Sequence, residues 1–493
     1  MKEPLDPKST PSLLISVRFL LALVIFFGVA LQYMQKIDMG ISIVVMVNST
    51  AIQQNDPNHH LAPSTDDAND TCLFKPDLTN STKDSGSFEW SKSVQGLILS
   101  SYFYGYIFTQ IPGGWLSMKY GPKTILGVSM LIGSIFTILI VPSAQLGYGV
   151  LMACRFLIGL SHGMMWPAIS AMFIKWAPPF EKSRIIGFAT SGANIGNVIA
   201  LPLGGFLCGL EDGWKLMFYL FGSLGILWFI LFVCLTADSP HDHRFISSKE
   251  KSFVISHTCD DFTKINEEEP LKVKVKRSNS IPWMSIFTSK ACIAIFTAHL
   301  CHNWGNYMFL TQLPSFMKDV LRFDIKSNGL FSSIPYISCW TCAMISSVIS
   351  DRLILSGSIS KSSIRKIFNG IGLLVPMVSV ILLSLVTCAN PYMGVVLLAF
   401  GVGFLGCNSG AGFQVNINEI GGEYSGILFG ISNTFATISG IVSPYIVGVM
   451  TPDSTQHEWQ HVFYLTAAIY LFGAIVYILF SKATVEKWAQ NSN

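Results

Sequence analysis

Inside the first long apolar stretch of the chain, residues 19–47, stand Lys36 and Asp38. A charge at the centre of a membrane helix costs about 2.5–3.5 kcal/mol on insertion scales, so such residues mark a pathway or a binding site. Another apolar stretch carries Arg155 and His162, seven residues apart and therefore on one helix face, two turns separated. Three basic groups against one carboxylate in an apolar bundle are the chemistry for holding a small anion. Each residue also has a plainer use. A lysine near a helix end can snorkel to the interface. Arg155 cannot shed its charge, so it needs a partner or a substrate, and an ion pair with Asp38 would leave little charge for cargo. His162 can be a satisfied core histidine or, because imidazole titrates near neutral pH, a proton carrier.

The elements that must position these groups are membrane helices. Apolar residues make up 51% of the 493-residue chain and charged ones 12%, and the mean hydropathy is +0.49, far from a soluble protein. Runs of about 20 apolar residues, each able to span a hydrocarbon core of about 30 Å, recur near 19–47, 92–115, 123–142, 148–173, 184–209, 214–236, 286–312, 326–350, 364–387, 392–417, 424–448 and 458–481. They must be helices, because lipid offers no partner for open backbone groups. The expected fold is an all-α membrane protein of 12 transmembrane helices in two six-helix halves. The first run is too long for a removable signal peptide.

Lysine and arginine set the orientation. With the N-terminus cytoplasmic, inside loops hold Lys119, Lys123, Lys175, Lys182, Arg184, Arg352, Lys361, Arg365 and Lys366, and the central linker adds Lys272, Lys274, Lys276 and Arg277. The connections near 142–148 and 388–391 are uncharged, and the long loop 48–89 is acidic, so both termini are expected in the cytoplasm. That loop carries N-x-S/T triplets at Asn48, Asn69 and Asn80, with Asn48 close to the membrane. Most of the eleven cysteines lie within helices as buried apolar side chains. Cys72 is luminal, with Cys388 its only plausible loop partner, at a separation that sequence cannot judge.

The chain divides into an N-terminal tail (1–18), a first half (19–236), a linker (237–285), a second half (286–481) and a tail (482–493). Each half repeats a basic turn between its second and third helices: Gly114–Lys123 in the first, and Asp351-Arg352 followed by a basic loop in the second. Duplicated six-helix halves with a site between them near the midplane are a transporter arrangement.

The Gly114–Lys123 stretch resembles the cytoplasmic signature of the major facilitator superfamily, with Met118 where an Asp is usual. The stretches Tyr106–Gly114 and Lys175–Arg184, together with 433–438, Glu458-Trp459-Gln460 and Val462-Phe463-Tyr464, look like the anion transporters of solute carrier family 17. That family holds sialin, the vesicular glutamate transporters and the type I sodium–phosphate cotransporters. In the seventh helix, Asn303-Trp304, Leu313-Pro314, Met317-Lys318 and 321–323 are most similar to sialin. The resemblance runs from Arg18 to Trp488.

The resemblance implies roles residue by residue. Lys36 stands where the family has an arginine that holds the substrate anion; lysine keeps the charge and loses the two-pronged fork. Arg155 matches the fourth-helix arginine. His162 stands where proton-coupled relatives carry a glutamate, Gln35 where some bacterial ones have an aspartate, and Asp38 where asparagine is usual, so the proton site is His162, has moved to Asp38, or is lost. His302 replaces an arginine of glutamate carriers and a tyrosine of sialin, on the same face as His299. Trp304 and Tyr307 match an aromatic pair able to stack on cargo. The polar run through Asn408, Ser409, Gln414, Asn416, Asn418 and Glu419 is too wet for lipid, with Ile417 where the family has histidine.

The expected function is secondary active transport of anions by alternating access, the expected cargo being an acidic sugar such as sialic acid or an acidic amino acid, coupled to protons, sodium (with chloride as a further ion) or membrane potential. The alternative is a sodium-dependent phosphate cotransporter; of other classes, an anion channel or a non-transporting, receptor-like relative. Substrate would meet Lys36, Arg155, His302, Trp304, Tyr307 and Asn416; Asp38 and His162 would handle coupling; Lys119, Lys123, Asp351, Arg352 and Glu419 would gate. Glycines 159, 163, 192, 196, 426 and 430 are expected to let helices approach closely. The spacing of the histidines supports no zinc site. No cofactor, catalytic constellation or nucleic-acid surface is expected, and a monomer in the plasma membrane or an endolysosomal or secretory vesicle membrane is.

Overall fold

A computed structural model describes residues 16–48, 86–178, 181–258 and 282–489. Asn69, Asn80, Cys72 and the Lys272–Arg277 run lie outside them. The first half comprises α1 (Val17–Met46), α2 (Lys92–Tyr120), α3 (Pro122–Leu146), α4 (Tyr148–His162), α5 (Met165–Trp176), α6 (Lys182–Cys208) and α7 (Gly213–Leu235). The linker holds α8 (Ser248–His257) and α9 (Trp283–Thr288). The second half comprises α10 (Lys290–Asp319), α11 (Ile325–Ser356), α12 (Lys361–Leu383), α13 (Pro391–Gly403), α14 (Gly406–Gly410), α15 (Phe413–Gly421), α16 (Ser425–Met450) and α17 (Gln456–Phe480).

Helix starts follow local chemistry. Ser16, Ser91, Ser289, Ser360 and Asp324 cap their helices through side-chain oxygens, and Thr455 with Glu458 forms a full capping box. Two expected spans are broken rods. The fourth is α4–α5, interrupted at Gly163-Met164, and the tenth is α13–α14–α15. Gly406 and Gly410 of that tenth span lie against the backbone of α11, at Cys339 and Ala343, where a side chain would not fit.

Ten helical stretches among the described residues are long and apolar enough to cross a membrane. The other two of the expected twelve, α2 and α10, run 29 and 30 residues, ample length at about 1.5 Å per residue. The polarity of α10 goes with protein rather than lipid around it, since it is buried along nearly its whole length.

The halves meet along three seams, α1 with α10, α2 with α16, and α6 with α11. Exchanging the halves maps this set onto itself: first helix pairs with first, and second with fifth in both directions. The face bearing the connection from α1 to α2 is closed across these seams. There Lys92 pairs with Asp319 at 2.6 Å, Lys318 Nζ donates to the Val44 carbonyl at 2.8 Å, and Gly96 of α2 lies against the Pro444 carbonyl of α16. This is the loop face. On the opposite, basic face the ion pairs among the described residues stay within one half: Arg18 with Glu181, and Lys361 and Arg365 with Glu419. Gly192 and Gly196 pack on α1 as expected, but a side chain at Gly426 or Gly430 would meet open space. The halves therefore part toward the basic face.

Two loop-face details bear on sequence expectations. Asn48 is tied to the chain re-entering the bundle, its N–H donating to the Phe88 carbonyl at 2.8 Å. Cys388 is disulfide-bonded.

Candidate functional site

The site is built where α1, α2 and α4 of the first half meet α10 of the second. Helices α2 and α4 touch backbone to backbone because Gly105 faces the Phe156 carbonyl and Gly159 the Tyr102 carbonyl. This contact brings Arg155 and His162 of α4 beside Tyr102 of α2. The Tyr102 hydroxyl and His162 Nδ1 are 3.2 Å apart, and the Arg155 guanidinium lies 5.6 Å from the Tyr102 ring centre.

Lys36 is 4% exposed, and its ammonium is ringed by aromatic faces. The ring centres of Tyr33, Phe103, Tyr106 and Tyr102 lie 5.1, 5.1, 5.4 and 5.7 Å away, and that of Tyr307 4.5 Å away. No ion pair among the described residues includes Lys36. Aromatic faces attract a cation through their quadrupole, by up to about 2 kcal/mol where desolvated, which lowers the cost of holding the ammonium here without neutralising it.

Arg155, by contrast, has a counter-ion. Its Nη1 lies 3.4 Å from Asp38 Oδ1, which also accepts from the Met39 N–H at 2.6 Å. Asp38 Oδ2 and Arg155 Nε have no hydrogen-bond partner among the described residues. The centre thus holds two cations against one carboxylate, with the excess charge on Lys36. His162 is fully enclosed: its carbonyl accepts from Gln32, and its Nε2 faces Gly133 of α3. It points into the first half rather than toward the seam. Gln35 likewise turns inward, donating to Ser134 Oγ and the Phe221 carbonyl.

Of the second-half candidates, Tyr307 alone reaches Lys36, and its ring also sits 4.7 Å from Phe103. Trp304 donates to Thr466 of α17. His302 meets Asn408, His299 meets Ser432, and Asn416 donates to Tyr477; all are ties inside that half. Among the described residues no three or more His, Cys, Asp or Glu side chains gather as a metal group.

The expected gating residues also serve their own halves. Lys119 lies over the rings of Trp115 and Tyr120. Lys123 Nζ donates to the Val233 and Thr236 carbonyls at the end of α7, a favourable place for a cation. Asp351 and Arg352 are exposed. Glu419 takes a two-pronged contact from Arg365, at 3.0 and 2.7 Å. In the sequence Arg365 reads only as a loop charge, and Tyr33, Tyr102, Phe103, Lys92 and Asp319 carry no individual mark of their role. The clustering of Tyr102, Phe103 and Tyr106 within five residues of one membrane run was the available signal.

The sequence profile of the Major Facilitator Superfamily matches residues 13–444. Human sialin is 37% identical over 478 residues, covering 97% of this chain and 92% of the relative. The chain belongs to the major facilitator superfamily, in its solute carrier family 17 branch. A Drosophila melanogaster relative, provisionally named an inorganic phosphate cotransporter, is 35% identical over 97% of this chain and 87% of its own length. Human vesicular glutamate transporter 2 is 31% identical over 96% of this chain and 75% of its own length. Among solved structures, the transporter resembles a bacterial homologue of the human lysosomal transporter Spinster in an inward-facing conformation, with TM-score 0.67, 13% identity, and coverage of 94% and 97% of the two chains. It also resembles a D-xylose–proton symporter, with TM-score 0.65, 14% identity, and coverage of 94% and 98%. This is a multi-pass membrane transporter, not an enzyme.

Proposed function

We propose that this transporter carries a small organic anion, an acidic sugar or an acidic amino acid, bound at Lys36 between the halves. The observation that carries this reading is the Lys36 ammonium: buried at the seam, without a counter-ion among the described residues, and contacted by aromatic rings of both halves. An arriving anion supplies the missing charge and lowers the cost of closing protein around the cation. The rings offer apolar faces and phenol hydroxyls to an organic skeleton. Inorganic phosphate is the second reading, favoured by the same excess charge and by the Drosophila relative.

Asp38 is the better-placed coupling group. Protonating it would leave Arg155 uncompensated and raise the positive charge facing the substrate, so proton and anion would bind together. His162, wedged between Tyr102 and Gly133, holds no ion pair among the described residues whose loss would free a cation at the seam. With the basic face cytoplasmic and both termini inside, as the positive-inside rule supports, the mouth opens to the cytoplasm. A plasma or endolysosomal or secretory vesicle membrane fits that orientation.

The test is uptake into proteoliposomes holding the purified protein, with labelled sialic acid, glutamate and phosphate offered under an imposed pH gradient or a potassium–valinomycin potential. Saturable uptake of one anion, lost in Lys36→Gln, supports the reading. Uptake indifferent to Lys36 removes it, and non-saturable flux makes the protein a channel.

A further inference from the structure

Two of the stretches that carry the family resemblance, Tyr106–Gly114 in the second helix and 433–438 in the eleventh, meet across the halves. The Gln110 Nε2 donates to Thr437 Oγ1 at 2.7 Å, and Gln110 Oε1 accepts from Asn433 Nδ2 at 2.7 Å. Both ends of one amide are thus held by residues one turn apart on α16. Thr437 has already donated its hydroxyl proton to the Asn433 carbonyl, so its oxygen can only accept from Gln110. The hydrogen-bond polarity of the clasp is therefore set. Gln110 and Thr437 are buried, and Asn433 also interacts with the Tyr106 side chain, one of the rings around Lys36.

The position of the clasp along the seam is what gives it meaning. From the loop face inward, α2 and α16 touch in step: Gly448 on Lys92, Gly96 on Pro444, Gly440 on the Phe103 ring, then Gln110 on Thr437 and Asn433. Beyond Gln110 the same stripes stop touching. Gly430 and Gly426, seven residues before Thr437 and Asn433 and so on the same face of α16, meet nothing. On α2, Gly114 has only Pro167 of its own half nearby, and Met118 is 78% exposed. Among the described residues, Gln110 is the last hydrogen-bonded tie along the α2–α16 seam before the halves part.

We propose that Gln110 is a positioning residue at the pivot of the two halves, its amide limiting how far the α2–α16 seam opens toward the basic face while fixing Tyr106 beside Lys36. A tie at the edge of an opening acts on the opening itself. Packed layers are bistable rather than continuously deformable, so losing a buried hydrogen bond there lets the seam part further. This inference rests on alternating access but on no substrate, so it stands or fails apart from the anion reading.

The experiment is a distance distribution by pulsed electron resonance on the full chain in nanodiscs without substrate, with spin labels carried by clickable amino acids at positions 118 and 426. The parent should give one dominant distance. Gln110→Ala, and Thr437→Val as a shape-conserving variant that removes one prong, should move the distribution to longer distances, changing the long-to-short ratio by about fivefold per hydrogen bond lost. Thr437→Ser, which keeps the hydroxyl, should restore the parent distribution. Unchanged or shorter distances in Thr437→Val protein that elutes and melts as the parent does would overturn the proposal, as would a Thr437→Ser distribution matching Thr437→Val.

Discussion

The Lys36 ammonium lies 4.5 Å from the ring centre of Tyr307, and the two residues belong to opposite halves of the chain. One side chain of each half therefore meets at the cationic centre, and a substrate bound there, as proposed above, would touch both.

Replacing Lys36 by Gln leaves a site with Arg155 neutralised and no excess charge. Uptake should fall by about 30-fold or more, the scale of losing one partner of a buried charge contact. Lys36→Arg keeps the charge and adds a planar fork, and should keep saturable uptake. Tyr307→Phe preserves the ring face and should change the half-saturating concentration little, whereas Tyr307→Ala should raise it by about fivefold or more. Concentration-dependent initial rates in proteoliposomes separate these outcomes.

The Arg155–Asp38 pair is almost fully enclosed, so removing one member strands the other. Arg155→Met or Asp38→Leu alone should cost about 3–5 kcal/mol of stability, while Arg155→Met with Asp38→Leu should recover most of it. Thermal unfolding of the detergent-solubilised variants measures this; equal losses in singles and double would show that the pair does not act as a unit.

Lys92 with Asp319 is an ion pair that joins the halves on the closed face, with side chains 18% and 10% exposed. Asp319→Asn should weaken that closure by about 1 kcal/mol, a fivefold shift toward opening of the loop face. Faster thiol labelling at Gln95→Cys, which lines the small cavity beside the pair, reports it. High salt should reproduce part of the effect in the parent chain.

Asp324 caps α11 from the loop, its Oδ2 accepting the N–H groups of Lys326 and Ser327. The Ser327 side chain first, and then these backbone donors, hold its carboxyl below its ordinary range. A depressed carboxyl stabilises the fold above its unfolded pKa and loses that contribution as pH falls through the folded value, so the cap should fail only below about pH 4. Asp324→Ala should cost about 1 kcal/mol at neutral pH and Asp324→Asn much less. Melting curves at neutral and acid pH should show the Ala variant and the parent converging as the pH falls.

Hydropathy runs and positive loops were enough to place twelve helices in two halves, because lipid permits so few backbone arrangements that length and polarity decide the matter. Charges inside those runs were legible for the same reason: Lys36, Asp38, Arg155 and His162 are too costly in an apolar stretch to pass unnoticed. Which of them faces cargo was not legible. Periodicity puts Arg155 and His162 on one face of α4, yet the glycine contact between α2 and α4 turns His162 toward Gly133 and Arg155 toward Asp38. His302, Trp304 and Asn416 looked equivalent to Tyr307 along the sequence, and helix rotation within the second half turned them to Asn408, Thr466 and Tyr477. The sequence by itself determined the class of protein, which runs are apolar enough to span a membrane and where its buried charges lie, because those follow from the solvent each segment must enter. Only the tertiary structure decided which cation is left unpaired and where the seam opens, because both depend on side chains hundreds of residues apart meeting within hydrogen-bond or ring-contact distance.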